Sequence, residues 1–286
     1  MSNQKIILVT GGAGFIGSHL CRRLLEDGHR VISLDNYFTG SKDNHVSGVE
    51  YREGHTKNIA TLVKESPDVI YHLGEYARVE ESLKEPDIVW DLNSVGTFAV
   101  LEFWRKLKCK LIYAGSSTKF GDGGLARVAT PYAWTKAANT ELVKNYGAWY
   151  ALPYAVTYFY NVYGEGERAG KYGTVVEIFR QKYVKKEPLT VVSPGTQKRN
   201  FTHVDDIMDG LVLVGEKGLG DEFGLGDERE YSILELAKLF HTDITMLPVR
   251  AGNRTGSSID TSKARALGWS PKKRIETYIS EITKYQ

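Results

Sequence analysis

Three glycines, Gly11, Gly14 and Gly17, stand close together near the start of the chain. They follow an apolar run at residues 6–10 and open a stretch with leucines at helical spacing, so a strand, a tight turn and a helix are predicted in that order. In this arrangement the first glycine permits the turn, the second lets the backbone approach a pyrophosphate, and the third lets the helix pack closely on the strand. The N-terminal amides of the helix then face the anion. The residues predicted to contact a dinucleotide here are Gly11, Gly14, Phe15, Ile16 and Gly17.

Apolar runs of strand length alternate with helical stretches as far as residue 160, which is the pattern of a parallel sheet covered on both faces. Strands are predicted at residues 5–10, 30–35, 69–73, 110–114 and 154–160. Helices are predicted between them at residues 14–27, 58–65, 86–107 and 131–150. Because crossovers between parallel strands are right-handed, these elements predict an α/β fold with a doubly wound parallel sheet of the Rossmann type.

Glycines and other turn residues become frequent after residue 163, and short elements follow to the end of the chain. We predict a dinucleotide-binding domain at residues 1–165 and a smaller α/β region, mainly substrate-binding, at residues 166–286. Residues 199–215 are expected to return to the first domain. A cleft for ligands is expected between the two.

The charges of the chain are balanced, since 37 basic and 35 acidic residues give a formal net charge of +2. The chain therefore lacks the excess of positive charge that binds nucleic acid or an anionic membrane surface, so neither is expected as a partner. No apolar run approaches the roughly 20 residues of a membrane span, and the N-terminus lacks a secretory pattern, so a cytoplasmic location is expected. Cys21 and Cys109 lie outside any metal-ligand spacing and are expected to be reduced packing residues, and no metal site is predicted.

Asp35 ends the second predicted strand, about 20 residues beyond the glycine turn. A carboxylate at this point can accept hydrogen bonds from the two hydroxyls of a ribose, and it would repel a 2′-phosphate. NAD is therefore favoured over NADP. The alternative is an aspartate that only initiates the turn.

Tyr132 and Lys136 begin the helix predicted after the fourth strand, and their spacing of four places both side chains on one helix face. A free phenol has a pKa of about 10 and is a poor base at neutral pH, but a neighbouring ammonium favours the phenolate. Hydroxyls from Ser116 to Thr118 end the preceding strand, where ligands bind in such sheets. In isolation, the pair could equally form a solvated face and the hydroxyls could cap a helix or turn.

These motifs together resemble the extended short-chain dehydrogenase/reductase superfamily, in particular the NAD-dependent epimerase/dehydratase family that acts on nucleotide sugars. The resemblance extends over essentially the whole length of the chain. Its motifs are the glycine turn, Asp35-Asn36 with residues 37–40, His72-Leu73, Asn93 with Gly96-Thr97, residues 116–121, the Tyr132 and Lys136 pair, residues 158–164 and residues 199–206.

By this resemblance, Tyr132 is the base that takes a hydroxyl proton while hydride passes from the sugar, usually from C4, to NAD. Lys136 binds the nicotinamide ribose and favours the phenolate. Ser116 occupies the position of the family's catalytic serine or threonine, and Thr118 occupies the position that varies with reaction type. The cofactor contacts implied beyond the glycine turn are Asp35, Asn36, Leu73, Tyr132 and Lys136.

The resemblance also implies a grip on the diphosphate and the neighbouring sugar of the substrate. Guanidinium groups suit phosphate oxygens because they form paired, charge-assisted hydrogen bonds. For any single arginine the alternative is an ordinary surface cation. The residues expected to contact substrate are Arg78, Ser117, Asn161, Arg199, Arg250 and Arg254.

Thr118 bears on the reaction, because the family's 4,6-dehydratases and decarboxylases carry an acidic residue at this position. Elimination of water needs an acid/base pair there, and this chain has hydroxyls instead. A 4,6-dehydratase or a decarboxylase is therefore the less expected alternative. We expect a nucleotide-sugar 4-epimerase that works by transient oxidation at C4, and a 4-dehydrogenase that releases the keto sugar stays open, because no residue separates the two. A non-catalytic NAD-binding regulator is the alternative from another class.

Two further features of the chain bear on substrate and assembly. Glu75 and Arg78 are more polar than the small residues usual in the family after the third predicted strand, and they either reach substrate hydroxyls or form a salt bridge with each other. The helices predicted at residues 86–107 and 131–150 pair across a two-fold axis in many family members, so a homodimer is expected.

Overall fold

The computed structural model describes residues 4–168, 170–249 and 259–284, without the side chains of residues 121–123. Within these ranges the strands are β1 Ile6–Thr10, β2 Arg30–Asp35, β3 Glu50–Glu53, β4 Val69–His72, β5 Lys110–Ser116, β6 Tyr154–Phe159, β7 Val162–Tyr163, β8 Leu189–Val192, β9 Lys198–Asn200, β10 Thr202–His203, β11 Gly220–Leu225, β12 Glu230–Ser232 and β13 Ile244–Leu247. The α-helices are α1 Phe15–Glu26, α2 Ile59–Leu62, α3 Pro86–Val89, α4 Gly96–Leu107, α5 Pro131–Tyr150, α6 Val175–Val184, α7 Val204–Lys217, α8 Ile233–Lys238, α9 Ser262–Ala266 and α10 Ile275–Lys284.

The central sheet contains seven parallel strands in the order β11-β6-β5-β4-β1-β2-β3. Its inner strands are covered on both faces, so they carry apolar residues in both directions instead of alternating; every residue of β4 is buried. The direction of winding reverses between β1 and β4. In sheets of this kind ligands bind at the carboxyl ends of the strands beside such a switch point. The predicted doubly wound sheet is confirmed.

Helices cover the two faces of the sheet through separate cores. On one face α4 and α5 contribute Leu101, Trp104 and Val143 to a cluster with residues of the inner strands. On the other face α1 and α7 contribute leucines and Met208 to a second cluster. Burial of this apolar surface removes it from water, which is the main term that favours the fold.

Two strands of the sheet were not predicted, and both lie at its edges. The sequence of β3, Glu-Tyr-Arg-Glu, is mostly charged because one of its sides has no neighbouring strand. The sequence of β11 begins Gly-Asp-Glu, and its pairing with β6 shifts register between Gly220 and Phe223. Neither segment shows the apolar run that identified the inner strands.

Two predicted helices differ in detail from the structure. The helix predicted at residues 58–65 is confined to α2, because the chain becomes extended at Val63 and Pro67 cannot continue a helix. The helix predicted at residues 86–107 is present as α3 and α4, joined by a π-helical turn over Trp90–Val95. This turn faces α5, and such turns are frequent at functional sites.

The later part of the chain has its own core, which contains Phe179, Leu189, Phe240 and Ile279. Three small pairs of strands belong to it or border it: β7 with β10, β8 with β13 and β9 with β12. Between them the chain returns to the main sheet, where α7 contacts α1 and β11 pairs with β6. Residues 166–286 therefore do not form one continuous region, because α7 and β11 pack with the central sheet.

Within the described ranges, no helix is both long and apolar enough to cross a membrane. The same residues hold no cluster of three or more histidine, cysteine, aspartate or glutamate side chains suited to a metal ion. Cys21 and Cys109 are both free thiols, and burial raises the pKa of each to about 12.

Candidate active site

The glycine turn lies between β1 and α1 at the switch point of the sheet. Gly11 has a φ of +77°, and its amide donates to the Leu34 carbonyl at 2.9 Å. A Cβ at Gly11 would lie 2.8 Å from the Gly74 backbone, and a Cβ at Gly17 would lie 2.0 Å from the Gly11 carbonyl oxygen. Gly14 caps α1 without a side-chain acceptor for the first amides of the helix. These amides therefore remain for an anion at the helix N-terminus.

The two apolar residues of the turn occupy the first turn of α1. Phe15 meets the His19 ring edge to face, with centroids 5.6 Å apart. Ile16 packs partly buried against the core beneath α1. Both residues thus fix the start of the helix, next to the amides that face the predicted dinucleotide.

Asp35 lies buried at the carboxyl end of β2. Its carboxylate accepts hydrogen bonds from the amides of Ala13 and Tyr37, at 2.9 and 2.8 Å. Burial raises its pKa, and these two hydrogen bonds oppose the rise. Each oxygen keeps a lone pair, so the aspartate can form the turn and still receive a ribose hydroxyl. The next residue, Asn36, is exposed and accepts from the Phe38 amide at 3.1 Å.

Leu73 directly follows β4 and lies opposite the glycine turn. Its amide donates to the Thr10 carbonyl at 3.2 Å, and its side chain packs partly buried against the core beneath α1. The backbone here approaches Gly11 closely. The predicted cofactor contacts from β1, β2 and β4 therefore lie at one edge of the sheet.

Tyr132 lies in the first turn of α5, which starts with Thr130 as its N-cap and Pro131 as its first residue. The phenol donates to Ser116 Oγ at 3.1 Å. Ser116 Oγ and Thr118 Oγ1 lie 2.9 Å apart, and both residues are buried. Three hydroxyls that are separated in sequence therefore form one hydrogen-bonded run at the end of β5.

Lys136 lies one turn further along α5, buried beneath the same edge. Its ammonium donates to the Ala114 carbonyl and to the Glu75 carboxylate. It also stands 4.5 Å from the centroid of the Tyr113 ring, which adds a cation–π contact. The side chains of the ion pair are only 6% and 3% exposed, for the lysine and the glutamate respectively.

Glu75 has a partner that the sequence does not predict. The predicted alternative of a salt bridge with Arg78 is wrong, because the carboxylate lies against Lys136. Arg78 instead donates to the carbonyls of Tyr172 and Ala77. The available signal is an acidic side chain in the loop after the buried strand β4, but its partners come from distant parts of the chain.

The remaining predicted substrate residues are dispersed over the later segments. Ser117 is half-buried next to the hydroxyl run. Asn161 donates to the Asn200 carbonyl at 2.8 Å, which places it beside β9, and Arg199 of that strand donates to the Lys198 carbonyl at 2.7 Å. Arg250 and Arg254 lie outside the described residues.

The comparisons with known proteins agree with this geometry. The family model of the NAD dependent epimerase/dehydratase family matches residues 7–226. A putative UDP-glucose 4-epimerase of Methanocaldococcus jannaschii is 29% identical over 299 residues, which cover 98% of each chain. UDP-glucuronic acid decarboxylase 1 of Danio rerio is 30% identical over 305 residues, which cover 99% of this chain and 73% of that protein. The UDP-glucose 4-epimerase of Thermotoga maritima, solved with UDP-glucose, has a TM-score of 0.91 at 28% identity, with 98% of each chain covered.

The chain belongs to the NAD-dependent epimerase/dehydratase family. The resemblance stated from its motifs is thereby confirmed, and so is the expectation of an NAD-dependent enzyme. NAD fits the residues present, because Gly11 and Gly17 let the turn pack tightly on neighbouring backbone, and the first amides of α1 have no side-chain acceptor and can receive a pyrophosphate.

Proposed function

We propose that this enzyme is a nucleotide-sugar 4-epimerase that oxidises its substrate transiently at C4. The observation that carries the proposal is the hydrogen-bonded run from Tyr132 through Ser116 to Thr118, with the ammonium of Lys136 one helical turn away. This run can hold one sugar hydroxyl and remove its proton. Solved structures that are named UDP-glucose 4-epimerases and superpose over nearly the whole chain support this reaction class.

The cofactor contacts come from three elements: α1, β2 and α5. The amides after Gly14 would hold the pyrophosphate, Asp35 a ribose diol, and Lys136 the ribose next to the nicotinamide. NAD, when bound, supplies an acceptor for hydride and returns that hydride later. The negative charge of Asp35 favours NAD over NADP, because a 2′-phosphate would meet a buried carboxylate.

Tyr132 acts as base and then as acid. As phenolate it takes the proton of the C4 hydroxyl, while Ser116 donates a hydrogen bond to the same sugar oxygen. Bound NAD would supply the acceptor for the hydride that leaves C4 and the source of its return. Tyr132 would give the proton back to the sugar oxygen when the opposite face of the ketone receives that hydride. Ser116 and Tyr132 are 3.1 Å apart, so one oxygen can reach both.

Decarboxylation is the main competing reaction, because relatives include UDP-glucuronic acid decarboxylases. Thr118 argues against it. This residue stands where an acidic side chain is expected in such enzymes, and its hydroxyl is occupied with Ser116 in a buried position. A threonine hydroxyl does not donate or take a proton readily at neutral pH.

The test is incubation of the purified enzyme and NAD with UDP-, GDP- and dTDP-linked sugars, including UDP-glucuronate. Epimerisation predicts a new axial or equatorial C4 proton by NMR without net NADH. Stoichiometric NADH with a keto sugar would instead identify the 4-dehydrogenase, and loss of a carboxylate carbon would identify the decarboxylase. Identical reactions with the Tyr132→Phe enzyme control for contaminating activities.

We also propose that the enzyme forms a homodimer through α5 and the segment of α3, the π-helical turn and α4. Trp90, Phe98 and Trp134 are exposed on these helices by 52%, 52% and 46%. Trp90 and Trp134 stack with centroids 5.8 Å apart, so the apolar surface is continuous across the two helices. Apolar patches of this kind on a soluble protein mark interaction sites.

We expect Phe98→Glu to shift the protein from dimer to monomer, because a charge would be buried at the centre of the interface. Sedimentation velocity at a series of concentrations measures the shift. Leu219→Glu is the matched control, since Leu219 is also an exposed apolar residue but lies in the loop between α7 and β11. A wild-type protein that sediments as a monomer would contradict the proposal.

A further inference from the structure

Glu75 follows β4 at the edge of the sheet that faces the proposed reaction. Its carboxylate receives four donors: the Lys136 ammonium on Oε2, and Thr97, Tyr113 and Asn139 on Oε1 at 2.8, 3.1 and 2.8 Å. The donors come from α4, β5 and α5. A buried carboxylate that accepts hydrogen bonds from three elements is held in one position.

The surrounding hydrogen bonds require the glutamate to be an acceptor. Thr97 donates to Glu75, so the Thr97 oxygen is left to accept from His72 Nε2 at 2.9 Å. His72 Nδ1 then accepts from the Thr10 hydroxyl at 2.7 Å. Burial lowers the pKa of His72 to about 4, so the imidazole is neutral at physiological pH and carries one proton, on Nε2.

The glutamate itself is ionised. Burial acts to raise the pKa of Glu75, but the ammonium of Lys136 and the hydrogen bonds it accepts outweigh burial, so its pKa lies below the usual value. The site beneath Tyr132 therefore holds one buried negative charge beside one buried positive charge. An ammonium this deeply buried would lose its charge or move without a partner, because desolvation disfavours the ionised form.

We propose that Glu75 is a positioning residue for Lys136: it keeps the lysine charged and fixed between the Ala114 carbonyl and the Tyr113 ring. In the proposed function, the lysine is then already charged and oriented when dinucleotide and sugar bind. Only this catalytic consequence rests on the proposed function. The titratable groups that face Lys136 are Glu75 after β4, His72 in β4, Tyr113 in β5 and Tyr132 in α5. Among them Glu75 is the one carboxylate, and it forms the ion pair with Lys136.

The test measures the protonation of the Lys136 side chain in the enzyme without substrate. Protein labelled with ¹³Cε-lysine is titrated by NMR, and the Lys136 resonance is assigned by its loss in Lys136→Arg. We expect the resonance in Glu75→Gln to titrate roughly 1 to 3 pH units lower than in the wild type, because the compensating charge is gone. Glu75→Asp should titrate close to the wild type.

Two variants separate charge from packing. Tyr113→Phe removes one donor to Glu75 but keeps the ring and both charges, so its Lys136 resonance should titrate as in the wild type. If Glu75→Gln folds poorly, thermal unfolding of the double variant Glu75→Gln/Lys136→Met decides the matter. If the double variant is more stable than Glu75→Gln, the proposed ion pair is supported, because the uncompensated charge of Lys136 then causes the instability of the single variant. Failure to recover overturns it.

A measurement of activity compares kcat between the Glu75→Asp and Glu75→Gln enzymes. If charge matters, Glu75→Asp keeps more of kcat at alkaline pH than Glu75→Gln, although glutamine is closer in shape. If Glu75 is merely a packing residue, the order is reversed, and the proposal is overturned. The NMR titration and the unfolding cycle need no substrate, so they stand even if the enzyme proves not to be a 4-epimerase.

Discussion

Replacement of Tyr132 by phenylalanine is expected to lower kcat by roughly 10²- to 10⁴-fold, the range in which a positioned acid/base group contributes. The reason is local. The ring of Tyr132 packs against the cluster of Val89 and Leu92, whereas only its hydroxyl reaches Ser116. Phenylalanine keeps the packing and removes the proton carrier, so the fold should be retained. The affinity for NAD should fall by no more than about tenfold, the usual effect of one lost hydrogen bond.

The measurement combines turnover of the best substrate with calorimetric binding of NAD and thermal unfolding. Tyr76→Phe is the matched control, because Tyr76 belongs to the same cluster but its hydroxyl donates to Glu85 at 3.0 Å. This control should turn over close to the wild type. If Tyr132→Phe did so as well, another group would carry the proton and the proposed mechanism would be abandoned.

The predictable part of the fold is the part encoded by nearest neighbours along the chain. Inner strands such as β4 are buried on both faces and stand out as apolar runs, and α5 begins at the proline and N-cap that its sequence displays. The strand β11 is not predicted by its local sequence. Its pairing with β6 joins segments more than sixty residues apart, and its polar first half gives no sign of that neighbour.

The residues of the candidate site also include a predictable local part and a part that depends on distant contacts. The glycine turn and the Tyr132 and Lys136 pair are local motifs, so their spacing alone indicates a dinucleotide and a proton transfer. The partner of Lys136 is not local, since Glu75 lies 61 residues earlier in the chain. The contact exists because β4 and β5 are adjacent strands and α5 packs on β5, and that adjacency arises only in the assembled sheet.

Gly17→Ala is expected to lower the free energy of unfolding and to weaken NAD binding together. Helix propensity alone would favour alanine by about 1 kcal/mol. The added Cβ, however, would lie 2.0 Å from the Gly11 carbonyl oxygen and 2.8 Å from Gly12 Cα, so the turn must move. Overpacking of this kind costs about 3 kcal/mol, which leaves a net loss of about 2 kcal/mol. Urea unfolding measures the first effect, and calorimetry with NAD should show a weakening of roughly tenfold or more.

Gly14→Ala separates the two effects. Gly14 has φ and ψ of −80° and 175°, which alanine adopts freely, and its Cβ would lie 3.2 Å from the Gly11 carbonyl oxygen, a contact that a small shift relieves. Stability should therefore change by less than about 1 kcal/mol. Affinity for NAD should still fall, because the second glycine is the one that lets the backbone approach the pyrophosphate. If both variants bound NAD as the wild type does, the dinucleotide could not lie on this turn, and the cofactor assignment of the whole edge would fail with it.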